Sequence, residues 1–150
     1  VKSDQQAYLD MVREKISEFG VFIQYVGGSD SPAWAYTVGL HAQGLPELIM
    51  VGGLDRPAFG RVLNGAAARL RTEWTWTHGT VVSGLLSPVL DLTCLEVDDV
   101  HTDYFSVALE LDSGFRALQL VWPDMSNRMP WEDGYEFGHD EQPLLGSAPI

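Results

Sequence analysis

Gly20-Val21-Phe22-Ile23-Gln24-Tyr25-Val26, then Gly27-Gly28-Ser29-Asp30, then Ala33-Trp34-Ala35-Tyr36-Thr37-Val38, is the stretch on which the fold turns. Two runs of β-branched and aromatic residues flank a cluster of turn formers, the composition of an antiparallel hairpin. On the N-terminal side, Tyr8, Val12, Ile16 and Phe19 recur at helical spacing between Asp4 and Phe19, with Ser3 or Asp4 placed to cap the helix and Gly20 to end it. On the C-terminal side, Gly39 to Pro46 interrupts the pattern with two glycines and a proline. Glu47-Leu48-Ile49-Met50-Val51 then reads as a strand buried on both faces, because its apolar run is continuous. Asp55 caps a second helix that tolerates Pro57 in its first turn and carries Phe59, Val62, Leu63, Ala66 and Leu70 as its apolar stripe. The chain thus opens α-β-β-β-α.

From Glu73 to Pro88 the tryptophans Trp74 and Trp76 alternate with threonines, and glycines punctuate, so the segment is expected to be loop with short strand pieces. Val89 to Val97 reads as a strand with Leu90, Leu92 and Cys94 on one side. Thr102 or Asp103 caps a third helix, in which Tyr104, Val107, Ala108 and Leu111 share a face before Asp112-Ser113-Gly114 stops it. Ala117 to Trp122 is the last strand, ended by Pro123. The expected fold is a single α+β domain, a mostly antiparallel sheet or small barrel with about three helices, in the order α-β-β-β-α-β-α-β. It occupies residues 1–123, and residues 124–150 form an irregular acidic tail. Trp131, Tyr135 and Phe137 predict that the tail wraps over the domain rather than exposing three aromatic rings.

Charge and cysteine usage narrow the function. The net charge is -12, and it is uneven: residues 1–90 carry 8 acids and 7 bases, residues 91–150 carry 13 acids and 2 bases. Such a surface repels phosphate backbones, so nucleic acid is not an expected partner; the acidity serves either solubility or a basic partner. No run is long and apolar enough for a membrane span, and Val1 to Asp10 lacks the basic-then-apolar order of an export signal. Cys94 is the only cysteine, which excludes an internal disulfide and a cysteine-rich zinc site and fits a reducing cytoplasm. His41, His78, His101 and His139 never fall at paired ligand spacing, so no metal centre is expected. Phosphate loops, dinucleotide fingerprints and nucleophile elbows are also missing.

Several segments carry a resemblance. Ala35-Tyr36-Thr37-Val38-Gly39-Leu40, Leu45-Pro46-Glu47-Leu48-Ile49, Leu63-Asn64, and Gln119-Leu120-Val121-Trp122-Pro123-Asp124 followed by Pro130-Trp131 resemble the bacterial domain-of-unknown-function 4262 family over roughly residues 19–146. The resemblance implies a fold and a set of positions but no reaction. This chain departs from the family's pattern in two places. Only His41 stands in the loop after Y-T-V-G-L. No glycine lies between W-P-D and P-W, where Asn127 is the residue best able to adopt a left-handed backbone instead.

The candidate chemistry lies at strand ends. His41 and Glu47 face each other across a glycine-containing turn, as a general base and its carboxylate partner would; the alternative is a surface loop in which Glu47 pairs locally. Trp122-Pro123-Asp124 ends a buried strand with a carboxylate, with Asp124 as a third catalytic candidate and Tyr36, Thr37, Trp122 and Trp131 as ligand-binding walls. The alternative is a packing lock with Asp124 accepting turn N–H groups. Cys94 reads as a buried small hydrophobe. The leading expectation is a small-molecule-binding domain, in one version a cofactor-independent enzyme of a bacterial biosynthetic pathway. The second is a protein-interaction module, an immunity or adaptor protein whose acidic C-terminal surface meets a basic partner. The third is a flavin-binding split barrel. It rests on Thr37-Val38-Gly39-Leu40 and Pro46 to Val51, and is weakened because Arg56, Arg61, Arg69 and Arg71 lie together on a helix face rather than at a phosphate site.

Overall fold

A computed structural model describes residues 3–29, 31–111 and 114–149. Among these described residues six strands form one open sheet in the order β1-β2-β3-β6-β5-β4, so the sheet of the sequence-based expectation is realised and the barrel is not. The strands are β1 (Phe22–Val26), β2 (Trp34–Val38), β3 (Glu47–Val51), β4 (Val81–Val82), β5 (Leu92–Glu96) and β6 (Ala117–Val121). All neighbours run antiparallel except β3 and β6, which pair in parallel from Glu47↔Ala117 to Ile49↔Gln119.

The central strands explain their own sequences. β3 and β6 are buried along their whole length. Alternation sends Leu48, Met50, Leu118 and Leu120 to one core and Ile49, Val51 and Ala117 to the other. The first core is closed by α2 (Arg56–Glu73), through Phe59, Val62, Leu63, Ala66, Ala67 and Leu70. The second is closed by α1 (Asp4–Phe19), the 3-10 segment Asp99–Phe105 and α3 (Ser106–Leu111), through Val12, Phe105 and Ala108. Leu63 is fully buried between α2 and the sheet, and truncating such a leucine to alanine typically costs about 2–5 kcal/mol.

The helix ends follow their capping residues. Ser3 accepts the Gln6 N–H and Gly20 closes α1 at φ 86, while Asp55 accepts the Ala58 N–H ahead of Pro57. The face of α1 is rotated from the expected stripe: Leu9 and Val12 are buried, whereas Tyr8 and Phe19 are 39% and 59% exposed. Tyr8 instead donates its hydroxyl to Gln24 of β1 and meets Phe22 edge-on. The third helix also begins differently. A 3-10 segment starts after Asp98 and is irregular at His101 (φ -105), so α-geometry is reached only at Ser106 and neither Thr102 nor Asp103 is the cap. Asp112 and Ser113 of the expected helix stop, and Asp30 of the expected 27–30 turn, lie outside the described residues.

Beyond β6 the chain has no further strand or helix among the described residues, yet it is fastened to the sheet. Gln119, a lone amide in an apolar strand, donates to the Pro143 carbonyl (2.9 Å) and accepts the Leu145 N–H (2.8 Å). Leu145 in turn accepts the Asp98 N–H, and its side chain is buried with the second core.

Candidate functional site

The best-defined polar construction is at the N-terminal end of β3. The β2–β3 ladder runs Trp34↔Val51, Ala35↔Met50, Tyr36↔Ile49 and then stops. At the next position side chains take over: the Thr37 hydroxyl accepts the Leu48 N–H (2.8 Å) and donates to Glu47 Oε1 (2.7 Å). Glu47 Oε1 also accepts the Leu40 N–H (3.2 Å), and Oε2 accepts the N–H groups of Gly39 and His41 (both 3.1 Å). The chain can present three consecutive N–H groups to one carboxylate because Gly39 adopts φ 117 and a 3-10 turn, His41–Gln43, follows and closes at Gly44 (φ 79). Glu47 is 2% exposed, and its two oxygens offer about four lone-pair sites, all of them taken here. Burial nevertheless pushes its carboxyl above the ordinary value, because desolvation outweighs the four hydrogen bonds. Glu47 therefore organises the loop, and has no open lone pair with which to abstract a proton.

A pocket of about 220 Å³ opens above this carboxylate. Arg13 and Ile16 of α1, His41, Leu111 of α3 and Phe115 are among the residues lining it. The His41 ring stands edge-on to Phe115 at 6.4 Å. Of the residues expected to form a site, His41 and Glu47 line this pocket and Thr37 supports it through Glu47.

The others lie elsewhere. Tyr36 is wholly buried under the third-helix region, where its ring packs 5.2 Å from Phe105 and its hydroxyl accepts the Val107 N–H; burial raises its pKa. Asp124 is enclosed by its own turn, accepting N–H groups from Ser126 (2.9 Å), Arg128 (2.9 Å) and Glu136 (3.1 Å) and the Arg128 Nε–H (2.9 Å). Burial alone would push this carboxyl up, but the Arg128 and backbone donors outweigh it and hold it below the ordinary value. Asn127 sits in the same turn at φ 63, the left-handed backbone its composition allows, and its side chain ties the turn to Asp91. Trp131 packs with Leu95, Val121 and Met129.

Trp122 belongs to a second concavity, an open cleft of about 400 Å³. Its indole N–H donates to the Val51 carbonyl (3.0 Å), its ring meets Phe137 edge-on at 5.5 Å, and Gly53 approaches so closely that an added Cβ would fall 2.6 Å from the indole. Asp140 and Glu141 also line the cleft, and no arginine or lysine does among the described residues. Arg13, Phe115, Phe137, Asp140 and Glu141 were not among the candidate site residues read from sequence. Only the aromatic content of the tail pointed towards any of them. Three or more potential metal ligands do not gather anywhere among the described residues, and no helix there is long and apolar enough to cross a membrane.

A family model for a domain of unknown function, DUF4262, matches residues 15–136. The chain belongs to the DUF4262 family. The match takes in the Thr37–Glu47 construction and the Trp122–Trp131 segment, so the DUF4262 region contains the pocket over Glu47 apart from Arg13. It ends one residue before Phe137, and the acidic side of the cleft therefore lies beyond the matched region. No curated protein matches the chain. Among solved structures, one described as a SUFU (suppressor of fused protein) homolog from Neisseria gonorrhoeae overlaps this DUF4262 protein with a TM-score of 0.47 at 12% identity, covering 80% of this chain and 79% of the other. That overlap carries no statement about activity or partner.

Proposed function

We propose that this protein is an interaction module that binds a basic partner protein, in the manner of an adaptor or immunity protein, through the cleft beside its C-terminal tail. The observation that carries the reading is the composition of the cleft: the half-buried Phe137 and the largely buried Trp122 form its aromatic lining, and the exposed Asp140 and Glu141 are the charged side chains beside them. An arginine or lysine side chain matches both, its stem against the rings and its charge near the carboxylates. The excess of 13 acids over 2 bases in residues 91–150 would add long-range attraction for such a partner. Asp124 is bonded within its own turn and Glu47 accepts four donors, which favours the interaction reading over the enzyme version of the small-molecule reading. Small-molecule binding itself remains as a second reading, favoured by the pocket over Glu47.

The test compares an arginine-containing peptide with the same peptide carrying citrulline, a neutral isostere. Chemical-shift changes at Gly52, Gly53 and the Trp122 indole are expected for the arginine form. They should weaken markedly as salt shortens the Debye length below about 10 Å, and on Asp140→Asn with Glu141→Gln. Equal binding of the citrulline peptide, or binding indifferent to salt, would overturn the proposal.

A further inference from the structure

The pocket over Glu47 differs from the cleft in size, wall chemistry and charge. Its volume of about 220 Å³ lies below the usual range of ligand pockets, roughly 300–1,000 Å³. An apolar cavity of roughly 150 Å³ is nonetheless known to hold benzene. The space therefore suits a single ring or a short chain with a small polar head, not a larger cofactor. Ile16, Leu111 and Phe115 supply apolar wall, and Arg13 and His41 supply polar side chains.

The balance of donors and acceptors decides the head group. Glu47, the only carboxylate lining the pocket among the described residues, is occupied by the Thr37 hydroxyl and the N–H groups of Gly39, Leu40 and His41. A cationic ligand would find no open acceptor on it. Among the described residues Arg13 makes a long contact to Asp10, 3.5 Å within one turn of α1, and both side chains are more than one-third exposed. An i,i+3 pair of that kind contributes little, so the guanidinium can turn to a better partner. A carboxylate offers it a fork of two oxygens in a partly enclosed site, where charge-assisted hydrogen bonds are stronger than on open surface.

Resting on the second reading above, we infer that this pocket binds a small carboxylic acid with a ring or short apolar body, the body between Ile16, Leu111 and Phe115 and the carboxylate on Arg13 with His41 beside it.

The experiment titrates the intact protein with 3-phenylpropanoate and octanoate and with their neutral amides, following backbone resonances by NMR. Both acids are expected to shift the signals of Val38 to Ala42, Ala108, Leu111 and Phe115, and to bind about tenfold more tightly than the amides, the usual scale for one charge-assisted contact. Arg13→Gln, a change on the exposed side of α1, should remove that preference while leaving the fold intact. Acids and amides binding equally at these residues would overturn the carboxylate assignment and leave the small-molecule reading standing. Retention of the acid preference in Arg13→Gln would overturn the role of Arg13. If none of the four probes shifts these residues, the pocket reading itself falls.

Discussion

The side-chain amide of Gln142 pairs with the backbone of Trp122 as a neighbouring strand would, its Oε1 accepting the Trp122 N–H and its Nε2 donating to the Trp122 carbonyl, both at 2.8 Å. Gln142 is buried and also donates to the Tyr135 hydroxyl (3.1 Å). Together with Gln119 on Pro143 and Leu145, this makes two glutamines the fasteners of a segment that has no ladder of its own. Close backbone approach completes the attachment: a Cβ on Gly52 would fall 2.1 Å from the Glu141 carbonyl oxygen, and one on Gly146 2.0 Å from that of Glu96.

Replacing Gln142 with alanine leaves two backbone groups at the end of β6 without partners. Each such buried group costs about 1–3 kcal/mol, so a loss of about 2–6 kcal/mol is expected in urea denaturation. Limited proteolysis should cut faster between Glu132 and Leu145. Unchanged stability together with unchanged cleavage would show that the tail is held by other contacts.

Glu47→Gln swaps one carboxylate oxygen for an NH2 group in a site built entirely of donors. Whichever way the amide turns, it brings donor against donor, and a loss of about 1–3 kcal/mol is expected, with resonance changes concentrated in residues 39–43. The pH dependence separates this from a mere packing defect. Because the folded carboxyl lies above its unfolded value, its contribution is fully present below the ordinary carboxylate pKa and is lost as pH rises through the folded one. Denaturation midpoints of the parent should therefore decline across that window, and those of Glu47→Gln should lack this component.

Asp124 acts with the opposite sign. Its carboxyl is held below the ordinary value, so its contribution is present above the unfolded carboxylate pKa and lost as pH falls through the folded one. Asp124→Asn should flatten the acid side of the stability profile, and Arg128→Gln should do so partially, since the backbone donors of Ser126, Arg128 and Glu136 persist. An acid limb unaltered by either change would contradict the arrangement.

Cys94 is fully buried on β5 and its thiol is pushed up to about 12 by burial. Iodoacetamide at mildly alkaline pH should leave it unmodified in the folded protein and alkylate it once urea unfolds the chain. Mass spectrometry reads the adduct directly, and rapid labelling without denaturant would show that β5 opens locally.

The sequence by itself determined the elements whose information is local: the cap at Asp55 and the choice of Ser3 or Asp4 ahead of α1, the hairpin between Phe22 and Val38, the stripe on α2, and the doubly buried strands at Glu47 and Ala117. The left-handed turn at Asn127 was equally legible, because it depends on one residue's own backbone preference. Tertiary structure alone decided which strands neighbour which, including the parallel pairing of β3 with β6 across 65 intervening residues and the open edges that replace a barrel. It also decided the fate of the candidate site. His41 and Glu47 stand six positions apart around Gly44 and both line one pocket, but the three N–H groups that saturate Glu47 depend on how the loop folds back on β3. Asp124 was captured by Arg128 within its own turn, and Trp122 was locked to Val51 across the sheet. A carboxylate or an indole shows in sequence only what it can bond to; which partner occupies it is set by distances between segments that the chain brings together when it folds.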